Sequence, residues 1–213
     1  MTDPILGWFR LPTATDPGTL NVCYAAIDRP VITGRSDELV LSGPEPVTFA
    51  TMLEDVAAFA GALAGLGIGP GKVALMDLAD DVDTAVGRLA CARVGAVSVS
   101  PSTGLASAVD SLMPAVILSS RHAELAAVLE HTAHQPDACI VRGDADLDPT
   151  RDIAWDLAVK AGRTDPAGCA KVPADAPYSF DAGVRTVLEQ AERVARLTQS
   201  PVSAAQLRAA LEG

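Results

Sequence analysis

The chain has 213 residues, of which 49% are hydrophobic, 20% charged and 4% aromatic. That is enough for one buried core built mainly from Ala, Val, Leu and Ile, and it excludes wholesale disorder. A formal net charge of −11 excludes nucleic acid and anionic membrane surfaces as partners, because both are bound through basic patches, yet leaves room for a small anion held at a local site.

The start, MTDPILGWFR, has no basic region followed by an apolar one, so no signal peptide is expected. No apolar run approaches the ~18 residues of a membrane span, and the chain is expected to be cytoplasmic. Residues 1–46 are rich in Pro, Gly, Asp and Thr and read as an extended arm that wraps a domain. Thr48 then caps a helix whose apolar face is Phe49, Leu53, Val56, Phe59 and Leu63, stopped by Gly67, Gly69 and Pro70. Short apolar runs at 72–78, 96–100, 115–119 and 138–141 read as strands. Helical patterns at 82–94, 105–112 and 123–131 separate them. Strands alternating with helices over short loops predict βαβ units and a parallel sheet covered on both faces.

After Arg142 the sequence turns acidic and turn-forming (GDADLDPTRD). A helix carrying Trp155 is expected over 152–161 and a loop over 164–177. The stretch 184–197 reads as an amphipathic helix with Val184, Val187, Leu188, Ala191, Val194 and Leu197 as its stripe, and Ser203 caps a last helix, AAQLRAAL. The reading is an α/β fold, a small parallel sheet flanked by helices, in three parts: an arm (1–46), an α/β domain (47–180) and a helical tail (181–213).

Candidate constellations are sparse. Cys23, Cys91, Cys139 and Cys169 lie far apart with no CxxC, so neither a zinc site nor disulfides are expected. His131 and His134 share an i, i+3 spacing at a helix end with no local acidic or Cys partner. Asp77, Asp80, Asp81 and Asp83 cluster where a helix N-terminus accounts for them without a metal. Ser98, Ser100, Ser102 and Ser119 have no G-x-S-x-G setting and no recognisable His and Asp partners. Arg121 and His122 follow the 115–119 strand, at the carboxyl end of the sheet where ligands gather, and form a candidate phosphate or CoA contact. No metal and no catalytic residue is expected.

The run LNVCYAAIDRP (20–30), preceded by Trp8 and Phe9, resembles the acetyl- and propionyl-CoA synthetases, members of the adenylate-forming enzymes. LGIGPGKVAL (66–75), LACARVGAVSVSP (89–101), PAVILSS (114–120), HQPDACIV and RDIAWD (134–156) and DAPYSF (175–180) follow the same family in order. In the family, DAPYSF would lead into a Ser/Thr/Gly-rich loop ending in a lysine, whose backbone N–H groups and positive charge cradle ATP phosphates. Here Phe180 is followed by DAGVRTVLEQ, with Asp181 at that place. Ala108 also stands where the resemblance would put an arginine.

The resemblance therefore implies the N-terminal portion of such an enzyme, truncated before the phosphate loop, the magnesium site and the domain with the catalytic lysine. The expected function is a non-catalytic accessory or regulatory subunit, bound to a protein partner or a second copy through the stripe from Val184 to Leu197, with no cofactor. Two alternatives stay open. One is half of a split acetyl- or acyl-CoA synthetase completed by another chain. The other is a sensor of CoA, acyl-CoA or adenine nucleotide.

Overall fold

The computed structural model describes residues 5–102, 104–143, 146–181 and 183–212; Asp144 and Ala145 of the acidic turn lie outside them. At its centre is a five-stranded, all-parallel sheet of β1 (Val73–Asp77), β2 (Val97–Val99), β3 (Val116–Ser119), β4 (Ala138–Val141) and β5 (Asp152–Ala154). The spatial order is β2-β1-β3-β4-β5, so the chain reverses direction across the sheet between β1 and β3. Both faces are covered, as the continuously apolar strands require.

Alternation along each strand sorts the two layers. Leu75, Ile117, Cys139 and Val141 point to α3 (Leu105–Leu112) and α4 (His122–Leu129), where Leu105, Val109, Leu125 and Leu129 bury with them. Ala74, Met76, Val116, Leu118 and Ile140 point the other way, into the larger core. That side carries α1 (Phe49–Gly65), α2 (Asp81–Val94) and α5 (Trp155–Gly162). The Phe59 and Trp155 rings stack with centroids 4.2 Å apart, joining α1 to α5; such pairs contribute about 0.5–1.5 kcal/mol beyond burial.

Caps fix the ends. Thr48 Oγ1 accepts from Thr51 N–H at the start of α1, and Asp80 accepts from Val82 and Asp83 N–H at the start of α2. Helix α2 ends at Gly95, whose φ of +81° is the left-handed conformation a glycine adopts without strain. Every residue from Thr84 to Val94 is buried, because α1 packs on one side of α2 and the last helix, α7 (Ala204–Glu212), on the other. The tail thus shares one core with the sheet: Val187, Ala191 and Val194 of α6 (Val187–Leu197) and Leu207 and Leu211 of α7 join it, as do Leu6, Leu20, Val22 and Ile27 of the arm.

Four local expectations change. The arm is not extended throughout: Tyr24–Asp28 and Val31–Arg35 coil into wide helical turns, the first because Val22, Cys23, Ala25, Ala26 and Ile27 are buried and their backbone polar groups need internal partners. Residues 152–154, expected to open a helix, form β5 beside β4, and the helix starts only at Trp155. Helix α6 starts at Val187 rather than Val184. Arg185–Thr186 pairs antiparallel with Pro177–Ser179, and Thr186 and Glu189 close a capping box. The expected loop at 164–177 also contributes a short strand, Val172–Pro173, paired with Thr19–Leu20. No helix among the described residues is long and apolar enough to cross a membrane.

Candidate functional site

The reversal between β1 and β3 makes the carboxyl ends of these strands the place to look for a ligand. Asp77 ends β1, Ser119 ends β3, and Arg121 starts the turn into α4. Asp77 is buried, accepts from Ser119 Oγ at 2.9 Å and is ion-paired with Arg121; Arg121 Nη1 also reaches Glu124 at 2.7 Å. Ala79 N–H donates to Ser120 Oγ at 3.0 Å, drawing the two strand ends together. His122 Nε2 lies 2.9 Å from Asp152 Oδ2, a carboxylate that also takes Arg151 Nε on its other oxygen at 2.7 Å. Burial alone would raise the Asp152 carboxyl, but the hydrogen bonds from Arg151 and His122 outweigh it and hold it below the ordinary aspartate range. Both residues of the candidate phosphate or CoA contact are therefore engaged with carboxylates of this chain.

The other candidates disperse. Asp80 caps α2, Asp81 pairs with Arg208 at 3.1 Å, and Asp83 pairs with Arg142 at 2.9 Å, so the aspartates of this edge do not converge on one point. His134 Nε2 lies 2.8 Å from the Pro114 carbonyl oxygen, and His131 is exposed. Ser98 and Ser100 accept from Arg88.

Of the six stripe residues, Val187, Ala191 and Val194 are buried in this chain's own core, Leu188 and Leu197 are partly buried, and Val184, outside the helix, is 73% exposed. The expected interface is thus largely covered in cis, because α6 lies against the first helical turn of the arm and against α7.

Two clusters escaped the sequence reading. The first lies at the turn after Pro177–Ser179, where the resemblance puts a phosphate loop. Arg88, fully buried in mid-α2, places Nη1 2.8 Å from Asp181 Oδ2, and donates to Ser98 Oγ at 3.3 Å and Ser100 Oγ at 2.6 Å. Ser100 N–H donates to Asp181 Oδ1, and Glu212 of α7 lies 4.0 Å from Arg88. Tyr178 is buried beside them, and burial pushes its phenol well above its usual value. The second cluster joins Cys23 and Asp28 of the arm, Arg93 of α2 and Cys169. Its signal in the sequence was faint: one arginine inside an Ala- and Val-rich helix, and cysteines far apart in the chain.

No protein-family model matches the chain. Curated relatives do. It is 28% identical over 181 residues, 72% of its length, to acyl-CoA synthetase short-chain family member 3, mitochondrial, of Pongo abelii. It is 32% identical over 177 residues, 70% of its length, to an uncharacterized protein of Pseudomonas aeruginosa. It is 34% identical over 99 residues, 44% of its length, to the acetyl-coenzyme A synthetase of Streptomyces coelicolor. These matches cover 26%, 28% and 14% of the respective relatives, so the chain spans about a quarter of the length of the relatives it matches most extensively. The chain is homologous to acyl-CoA synthetases over a partial region, as the LNVCYAAIDRP run and the motifs after it imply.

Proposed function

We propose that the chain is a non-catalytic, acyl-CoA synthetase-like protein that acts as an accessory or regulatory subunit through protein–protein contacts. The observation that carries this reading is the Arg88–Asp181 pair. Nucleotidyl transfer relies on uncompensated positive charge and free N–H donors aimed at phosphate oxygens. At the turn after Pro177–Ser179 the buried cation is neutralised by Asp181, and the same carboxylate takes the Ser100 N–H. A polyphosphate brought there would meet the Asp181 carboxylate, with Glu212 nearby. The same turn leaves Phe180 40% and Val184 73% exposed, apolar side chains suited to contact with another protein.

The test has two arms. Purified protein given ATP, magnesium and acetate or propionate is expected to release pyrophosphate no faster than a blank without protein. Native co-purification with mass determination is expected to give a stoichiometric partner or a homo-oligomer. Acyl-adenylate formation by the chain alone overturns the reading, and so does an inert monomer that recovers no partner.

A further inference from the structure

Two thiols from distant parts of the chain meet at one carboxylate and one guanidinium. Asn21 brings their segments together: its Nδ2 donates to the carbonyls of Ala92, Arg93 and Ala170 at 2.7, 3.1 and 2.9 Å, and Ala170 N–H donates back to the Arg93 carbonyl at 2.7 Å. Cys23 and Cys169 are thereby fixed against the same turn of α2. Arg93 Nη1 donates to Asp28 Oδ1 and Oδ2 at 2.9 and 2.7 Å, to Cys169 Sγ at 3.2 Å and to Cys23 Sγ at 3.5 Å. Its Nε donates to the Ala167 carbonyl at 2.6 Å. Asp28 Oδ2 accepts from the Cys23 thiol at 3.7 Å and from the Cys169 thiol at 3.6 Å. The two sulfurs and a carboxylate oxygen of Asp28 all lie within 4.8 Å of one another.

Two thiolates and a carboxylate also suit a soft divalent cation. Here one guanidinium nitrogen is already hydrogen-bonded to all three donors, so a metal ion would sit against a fixed positive charge. With the cationic role filled by Arg93, the chemistry left to two adjacent sulfurs is with each other. We propose that Cys23 and Cys169 form a redox-modifiable pair, closing to an intramolecular disulfide by exchange with low-molecular-weight disulfides such as oxidised glutathione.

Exposure sets the order of events. Cys23 is fully buried, whereas Cys169 is half-buried next to a cleft of about 590 Å³ lined by Leu53, Glu54, Arg93, Arg163, Ala167 and Gly168. Cys169 Sγ attacks one sulfur of the external disulfide, whose S–S bond breaks; one glutathione leaves as a thiolate and takes up the Cys169 proton. Cys23 Sγ then attacks Cys169 Sγ in the mixed disulfide, and the second glutathione leaves with the Cys23 proton. Two protein thiols are oxidised by two electrons and one external disulfide is reduced to two thiols. Hydrogen bonding with Cys23, together with burial, keeps the Cys169 thiol protonated at neutral pH, so exchange is slow and the test is read at equilibrium. The bond ties the arm to the loop that precedes the Val172–Pro173 strand.

The test equilibrates the folded wild-type protein with oxidised glutathione under nitrogen, then traps free thiols by alkylation in denaturant. The expected result is a mass loss of two hydrogens, a proteolytic fragment pair joined through Cys23 and Cys169, and two remaining alkylated thiols. Those two are Cys91 and Cys139, whose thiols burial pushes up to about 12. Oxidation is also expected to raise the wild-type Tm by several degrees and to leave the Tm of Cys169→Ser unmoved. Four alkylated thiols at equilibrium, a link through Cys91 or Cys139, or stoichiometric zinc uptake by the reduced protein that Cys169→Ser abolishes would each overturn the proposal. The wild-type mass measurement decides the matter even where a cysteine variant folds poorly.

Discussion

Arg88 Nη1 and Asp181 Oδ2 stand 2.8 Å apart, with the arginine side chain fully buried and the aspartate side chain 11% exposed. A charge removed from water this completely is tolerated only with a partner and hydrogen bonds around it. Ser98 and Ser100 supply some of those bonds, and Asp181 supplies the countercharge. The pair fixes the turn after Pro177–Ser179 onto α2.

Removing one partner is expected to be costly and removing both cheap. Asp181→Ala leaves the Arg88 charge buried without a countercharge; Glu212 is 4.0 Å away and already bound to Arg208 at 2.9 Å. The loss should be about 3–5 kcal/mol, whereas Arg88→Met with Asp181→Leu should fall within about 2 kcal/mol of wild type. Urea unfolding of Asp181→Ala, of the single variants Arg88→Met and Asp181→Leu, and of their double variant checks this. Additive losses would show that the ion pair does not couple the hairpin to α2.

The sheet was legible because parallel strands buried on both faces read as unbroken apolar runs, and four of the five strands were found that way. The fifth escaped because Asp152–Ala154 is short and begins with a buried aspartate, which no apolar pattern reveals. The tail stripe was legible as well, but periodicity states only that a face is apolar. It does not state that the arm and α7 cover that face from far along the chain. Arg88 and Arg93 were overlooked for a related reason. On a helix with one wet side an arginine is unremarked, and only the covering of α2 by both α1 and α7 turns each into a buried charge that needs a partner.

Asn21 is expected to be a strong determinant of stability for its donors rather than its size. It is buried, and its amide holds three carbonyls from two segments while its Oδ1 accepts from Tyr24 N–H at 3.2 Å. Asn21→Ala should cost about 2 kcal/mol, the typical result of leaving buried polar groups unpaired. Asn21→Asp should cost more, since a carboxylate faces three carbonyl oxygens without a proton to offer. Denaturant midpoints of the two variants test the ranking. An aspartate variant as stable as the alanine variant would show that the carbonyls find other donors.

The α1–α5 contact depends on glycine at two facing positions. A Cβ at Gly162 would fall on the Ala58 carbonyl oxygen, and one at Gly61 on the Asp165 carbonyl oxygen, both backbone atoms that cannot turn aside. Gly162→Ala should therefore destabilise by about 1–3 kcal/mol or more as the helices part and the Phe59–Trp155 stack opens. Gly65→Ala, on the last turn of α1 with open space around it, should stabilise by about 0.4–1 kcal/mol through the unfolded chain. Paired thermal melts, with Trp fluorescence following the stack, distinguish close helix packing from a general intolerance of alanine in this region.

Asp152 gives the fold an acid-sensitive component whose sign follows from its surroundings. Its side chain is buried and accepts from Arg151 Nε at 2.7 Å, Arg151 Nη2 at 3.1 Å, Asp148 N–H at 3.1 Å and His122 Nε2 at 2.9 Å. Burial opposes ionisation, but these bonds leave the folded carboxyl below the ordinary aspartate value of 3.8. A depressed folded pKa means that the unfolded chain binds the proton more readily, so the contribution is complete above the unfolded value and is lost as pH falls through the folded one. Asp152→Asn should thus be less stable than wild type near pH 6, with the gap closing below about pH 4. Urea unfolding followed by circular dichroism at pH 6, 4.5 and 3 measures it. A gap that stays unchanged down to pH 3 would place the acid sensitivity in other carboxylates and leave Asp152 a spacer between β5 and α4.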